Sequence, residues 1–423
     1  MSLLEQASLV ITPNAVKESI LYSVVPSDGS GDMDVVRATT ATRVNSAGLI
    51  ESVASNVPRL DYTNGSCPSI LVEPQRTNLF LYSEQFDNIN WTKSNMNVTA
   101  NSSTSPDGTT TADTITVTST SAELYAAGTS ATTTTTLSVF VKKGNQKYFG
   151  LTINGVNNFD SRYQAVFDLD NGTIFQENNS STPLTNRSAK IESYANGWYK
   201  VSVTATFAIL AVGFVVFQNS NSVPTIPSNN LAWNNSTNGN TFIWGAQLEA
   251  GSYATSYVPT LASSVTRNAD VISKTGISSL IGQTEGTVFA NINFKNTNTA
   301  AKYISINNGT NNNRINFVLQ GNGSALILEM SINGISLANV GLKNLSNLNL
   351  FLKIALKYKS GEIKCFVDGQ LLFSNTLTYS NAVFDRLLLT NPAGGQPFDG
   401  DVNSIQLYKT ALTDTECIAL TTL

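Results

Sequence analysis

The chain has 423 residues, with 25 Lys or Arg against 29 Asp or Glu, a net charge of -4, and charged side chains at only 13% of the total. The slight acidic excess and the lack of any basic run exclude a phosphate-tracking nucleic-acid surface, which needs clustered cations. Histidine is absent, which excludes Ser-His-Asp and Cys-His nucleophile systems and every imidazole zinc site.

Cys67, Cys365 and Cys417 lie far apart with no CxxC spacing. They read as free thiols in or near a core, not as a disulfide framework or a metal cluster. The opening MSLLEQASLV carries Glu5 and no basic region, so no secretory leader is expected. The apolar AILAVGFVVF at 208–217 is shorter than the ~18 residues that a bilayer span needs, so it reads as buried strand and no membrane insertion is expected.

Residues 1–75 carry closely spaced turn signals, PSDGSGD at 26–32, NSAG at 45–48 and TNGSCP at 63–68, around short alternating pieces such as ATTATRV and LIESVA. Such a segment holds too little apolar surface to fold alone, and is expected to be extended and to pack on a partner or on copies of itself. From 76 to 259 strands follow one another between Asn/Gly/Ser loops. DLDNGTIF sets Asn171-Gly172 between two apolar pieces, a two-residue hairpin signal. In ANGWYKVSVTATF, Trp198, Lys200, Ser202 and Thr204 alternate with Tyr199, Val201, Val203 and Ala205, giving one apolar and one mixed face.

A second all-β unit occupies 260–423. Within it KYKSGEIKCFVDGQLLF has turns at Ser360-Gly361 and Asp368-Gly369 and predicts a three-strand meander. TALTDTECIALTTL predicts a closing short helix capped by Thr413 or Asp414, with Cys417 and Leu420 on one side. The expected fold is therefore all-β: two tandem β-sandwich (jelly-roll) domains, 76–259 and 260–423, preceded by an extended N-terminal assembly segment, 1–75.

One seam carries a more specific signal. RATTATRVNSAGLIESVASNVPRLDY and LVEPQRTNLFLYSEQFDNINWTK contain Arg37, Thr39, Ala41, Thr42, Asn56, Pro58, Arg59, Glu73, Pro74, Thr77, Asn78, Leu79 and Trp91. That pattern resembles a recurrent N-terminal module of tailed-bacteriophage structural proteins. The following unit, ending in FIWGAQLEAGSYATSYVPT, is similar to carbohydrate-binding-module jelly rolls. The last 165 or so residues, through GEIKCFVDGQLLF and GDVNSIQLYKTALTDTE, are similar to laminin-G or concanavalin A-like domains.

The resemblance implies a virion protein on the exterior of a phage particle, made in the bacterial host cytoplasm. It would be a tail fibre or spike component that binds host-surface polysaccharide. Its partners would be other virion proteins, reached through the N-terminal segment, and further copies of itself as a homotrimer. The alternative is a capsid decoration or head fibre without an essential ligand; a third reading is a polysaccharide depolymerase. No enzymatic activity is expected, since the compact Glu-x-Asp-x-x-Glu strand of jelly-roll glucanases is absent and glycoside hydrolysis needs two carboxylates across a cleft.

Sugar stacking needs flat aromatic faces. Trp233, in the polar loop NNLAWNNSTNGN, is the leading candidate, followed by Trp91 and Tyr148, whereas Trp198 and Trp244 sit in alternating strands and are expected in the core. No cofactor is expected. A structural calcium, which related jelly rolls hold, would draw on Asp87 and Glu249. FDGDVN places Asp399, Asp401 and Asn403 in the opening spacing of a calcium loop, but Ser404 replaces the expected Gly and no Glu stands at the twelfth position, so a solvated strand face is the reading. At the seam Pro74 and Arg76 are expected to end an extended segment. Arg76 would pair with Glu73 or a sheet-edge carbonyl, and Leu79–Tyr82 would open the sandwich as its first strand.

Overall fold

The structure, a computed structural model, describes the chain except for residues 1, 18, 128–129, 131, 156–157, 180–183, 209–211, 222–237, 296–299, 322–324, 346–349 and 423. It is all-β, with short helices at Leu3–Gln6 and Asp414–Thr422. The chain divides into two compact units that are not contiguous in sequence. The first takes residues 1–40, 53–75 and 268–423, and the second residues 41–52 and 76–267.

The first unit is one continuous antiparallel sheet curled on itself. Its order runs from Ile335–Asn344 through Ala325–Ile332, Arg314–Leu319, Lys302–Asn307, Arg386–Leu388, Val271–Thr275, Met33–Val36 and Ile20–Val25 to Leu9–Lys17. It continues through Gly400–Tyr408, Glu285–Phe294, Leu352–Lys359 and Glu362–Val367 to Gln370–Asn375. Alternate side chains from the two halves meet in one core, Ile306, Phe317 and Leu328 from one and Ile292, Leu356 and Ile405 from the other. The Lys359/Glu362 and Val367/Gln370 pairs close the predicted meander with two-residue turns. Asp368 and Gly369 take φ of 49° and 80°, left-handed values that favour the Asp-Gly sequence there. Thr413 Oγ1 accepts from Glu416 N while Glu416 Oε2 accepts from Thr413 N, a capping box that starts the last helix.

Residues 1–75 therefore do not form a separate extended segment. Leu9–Lys17 pairs with both Ile20–Val25 and Gly400–Tyr408, Met33–Val36 pairs with Val271–Thr275, and Ser69–Val72 pairs with Gly400–Tyr408. The apolar surface that looked too small for a domain is adequate because Leu9, Ile11, Leu21 and Val35 bury into a core completed by the C-terminal strands.

The second unit has two six-stranded antiparallel sheets. One runs Met96–Ser103, Ala112–Val117, Asn240–Ala250, Thr134–Lys143, Trp198–Thr206, Thr185–Ser193; the other runs Thr173–Asn179, Asn158–Asp168, Tyr148–Gly155, Val212–Ser220, Glu123–Ala127, Thr92–Ser94. Val139, Val201 and Leu248 meet Phe149, Leu151 and Phe167 between them. The hairpin at Asn171-Gly172 closes through a four-residue loop, not two, since Asp168 pairs with Thr173. The Asp168 carboxylate organises it by accepting the amides of Asp170 and Asn171. Leu79–Tyr82 lies outside any strand. The short strand at this point is Arg76–Asn78, paired with Val265–Arg267.

Candidate functional site

An open cleft of about 600 Å³ lies in the second unit, lined by Glu84, Asp87, Asn101, Thr111, Leu261 and Val265 among others. Next to the cleft residue Asn101, Asp113 is 1% exposed and accepts the backbone N–H of Phe86 and of Asn101, each at 2.9 Å. Burial pushes its carboxyl up to about 6, although those two donors pull the other way. Glu84 takes the Tyr257 hydroxyl at 3.0 Å, and Tyr257 also shares a 2.6 Å bond with Ser83 Oγ. Burial again raises the Glu84 pKa, opposed by the Tyr257 bond and reinforced by the Asp107 and Asp113 charges. Thr111 Oγ1 accepts Trp244 Nε1 at 3.1 Å. The floor is thus a hydrogen-bonded framework that holds carboxylates at fixed positions under an open mouth.

Of the residues predicted for sugar stacking, neither Trp91 nor Tyr148 lines this cleft. Trp91 is 1% exposed, stacked on Phe217 at 5.4 Å and flanked by Phe80 and Phe86, with Nε1 donating to Tyr82 O. Both ring faces are used by the core, so it cannot stack on a sugar. Tyr148 is 5% exposed, against Phe175 with Lys147 Nζ 5.2 Å above the ring. It stands on the sheet face away from the main core, in a row with Thr152 and Asn154. Thr152 Oγ1 and both amide atoms of Asn154 are buried with no hydrogen-bond partner among the described residues. Trp233 lies outside the described residues. Trp198 and Trp244, each 1% exposed, pack with Phe140 and Tyr257.

The acids also fall differently from expectation. Glu249 is fully buried and accepts both the N–H and the hydroxyl of Thr255, whereas Asp87 is on the cleft lip. Among the described residues no group of three or more His, Cys, Asp or Glu side chains is placed to hold a metal ion. Asp399 and Asp401 are 0% exposed, so theirs is not a solvated face. Asp401 lies 3.0 Å from Lys295 Nζ and accepts Asn64 Nδ2 at 3.2 Å. Burial alone would lower the Lys295 pKa, but the carboxylates of Asp401, Glu73 and Asp61 raise it, so an ammonium occupies the place a cation would take.

The seam motif is a buried ion-pair network within the first unit. Arg37 Nη1 donates to Asp270 Oδ1 at 2.7 Å, Arg59 Nη1 to Glu73 Oε2 at 2.7 Å, and Arg59 Nη2 to Asp270 Oδ2. The guanidinium of Arg37 also reaches the carbonyls of Thr39, Ala54 and Val57. Asn56, at φ 62°, binds Arg37 through both its backbone N–H and its Oδ1. Burial opposes the Arg59 charge, but Asp270 and Glu73 more than offset it and raise its pKa. Glu73 thus holds Arg59, and Arg76 sits over the Tyr253 ring at 5.7 Å. Asn78, fully buried in the second unit, donates to Ala246 O and Val258 O while accepting from Phe80 and Leu248. Sequence reasoning missed Asp270. Its only local signal was a charged Arg-Asn-Ala-Asp run at 267–270 facing no nearby partner in sequence.

Residues 267–417 match the family model described as the concanavalin A-like lectin/glucanases superfamily, nearly all of them in the first unit. Among solved structures the chain is similar to the CBM40 of the Ruminococcus gnavus IT-sialidase, at 20% identity over 33% of this chain and 84% of that one, with a TM-score of 0.29. It is also similar to domain 4 of AbnA, a GH43 extracellular arabinanase from Geobacillus stearothermophilus, at 17% identity, 40% and 82% coverage and a TM-score of 0.30. The NanB sialidase of Streptococcus pneumoniae is similar at 18% identity, covering 35% of this chain and 26% of that one, with a TM-score of 0.30. No curated protein matches the chain. No described helix is long and apolar enough to cross a membrane.

Proposed function

We propose that the chain is a non-catalytic glycan-binding protein, an adhesion component of a bacteriophage tail fibre or spike that contacts host-surface polysaccharide through its β-sandwich units. The observation that carries the glycan half is the match of residues 267–417 to the concanavalin A-like lectin and glucanase superfamily, within an antiparallel sheet that strands from residues 1–75 complete. The virion half is supported by the phage-like pattern from Arg37 to Trp91, whose residues are built into the buried network and the second core. Individual contacts of this kind are weak, and several copies in a homotrimer on the particle exterior multiply them. Attachment to other virion proteins then uses the outside of a folded unit, since residues 1–40 and 53–75 are part of one.

The test is binding of the fluorescently labelled intact chain to candidate host cells, followed by competition with polysaccharide extracted from those cells. Labelling that the free polysaccharide displaces supports the reading. Labelling that it leaves in place assigns adhesion to a protein receptor instead.

A further inference from the structure

The cleft of the second unit has a sign as well as a shape. Glu84 and Asp87 line it, and Asp107 and Asp113 stand close enough behind to act on the same charges. Among the described residues that line it there is no Lys or Arg. The nearby cation, Lys93, is turned to the backbone carbonyls of Asp87 and Asn88, at 2.7 and 2.8 Å. The backing acids are fixed: Asp113 by the amides of Phe86 and Asn101, and Asp107 by Ser105 Oγ, Thr109 N and Thr109 Oγ1. Leu261, 64% exposed, and Val265, 37% exposed, add an apolar side to the same cleft. Gln85, Asn101 and Ser263 supply amides and a hydroxyl.

We infer that this cleft binds a hydroxylated ligand carrying a protonated amine, an amino sugar with its nitrogen free, and that it rejects carboxylated sugars. The amides and Ser263 hydrogen-bond ring hydroxyls, and Leu261 and Val265 cover the C–H face of the ring. An ammonium entering the cleft meets the Glu84 carboxylate, already positioned by the Tyr257 hydroxyl, with the Asp87 carboxylate on the lip as a second acceptor. A sialic or uronic acid brings a carboxylate toward the same two acids with no lining cation to neutralise it, so like-charge repulsion and desolvation oppose it together. The inference rests on the glycan-binding reading only in taking the ligand to be a sugar.

Isothermal titration of the intact chain at low salt tests this with glucosamine oligomers, their N-acetylated counterparts and sialyllactose as probes. The free-amine probe is expected to bind about tenfold more tightly than the N-acetylated one and sialyllactose more weakly than either, with the difference shrinking as salt rises. Glu84→Gln and Asp87→Asn should each narrow the amine preference. Asp87 is on the exposed lip, so its variant remains informative where loss of the Glu84–Tyr257 bond prevents folding. Sialyllactose binding as tightly as the amine probe, or an amine preference unchanged in Asp87→Asn, overturns the inference. Failure of every probe while host polysaccharide still retains the chain also overturns it and leaves the glycan reading standing, whereas loss of both retires that reading as well.

Discussion

Asp270 receives Arg37 at 2.7 Å across 233 positions of sequence, and its second oxygen receives Arg59. One carboxylate thereby ties the start of the chain to the strand Val271–Thr275, near the start of the region that matches the concanavalin A-like model. Removing one member of such a cluster leaves buried charge uncompensated, which costs about 3–5 kcal/mol. Asp270→Ala should therefore lower the stability of the first unit by that amount in guanidinium unfolding. A loss below about 1 kcal/mol, the scale of an exposed pair, would show that the cluster is hydrated and replaceable.

Deleting residues 1–75 should prevent the first unit from folding. The deletion takes Leu9–Lys17 out from beside Gly400–Tyr408, exposes Val288, Ile292 and Ile405, and strands Asp270 without its arginines. The expected product binds hydrophobic dyes and loses near-UV circular dichroism from the C-terminal strands. A shortened chain with native dichroism would restore the segment to a separable strap.

These two predictions mark where sequence reading reached its limit. Alternation in ANGWYKVSVTATF and the Asp368-Gly369 turn are local signals, and the strands and turns they predict are present. The chain order of the units was not local. Residues 41–52 belong to the second unit while 1–40 and 53–75 belong to the first, and the strand pairings that decide this join residues hundreds of positions apart. The motif from Arg37 to Asn78 was visible as a pattern but not as a network, because its shared partner, Asp270, lies outside it. Asp401 read as solvated from strand alternation alone. It is buried because Lys295 and Asn64 are brought to it by the neighbouring strand and a distant loop. The cleft combines residues 84–111 with 259–265 and has no contiguous signature.

Trp91 is a packing residue. Trp91→Ala should destabilise the second unit by about 3–5 kcal/mol through the cavity left among Phe80, Phe86 and Phe217. In the folded fraction glycan binding should be unchanged. Lost binding with stability intact would make the ring a ligand platform after all.

Asp113 should make the second unit less stable as pH rises from about 4 to 6. Its carboxyl is raised from 3.8 to about 6, so the native state holds a proton that the unfolded chain has released across that interval. The stabilisation is complete below the unfolded value and is lost as pH passes the folded one, amounting to at most about 3 kcal/mol. The readout is the difference between wild type and Asp113→Asn in melting temperature at pH 4 and pH 7, because other carboxylates titrate in the same range. Parallel curves for the two proteins would place the Asp113 pKa near its ordinary value.

The most direct measurement is affinity electrophoresis of the intact chain through gels containing host-surface polysaccharide, with released reducing ends assayed in the same samples. The glycan-binding account predicts retarded migration that free polysaccharide reverses, with no reducing ends appearing over long incubation. Unretarded migration would contradict binding. Reducing-end release that disappears in Glu84→Gln would contradict the non-catalytic reading, making the cleft a hydrolytic site with Glu84 as its proton donor.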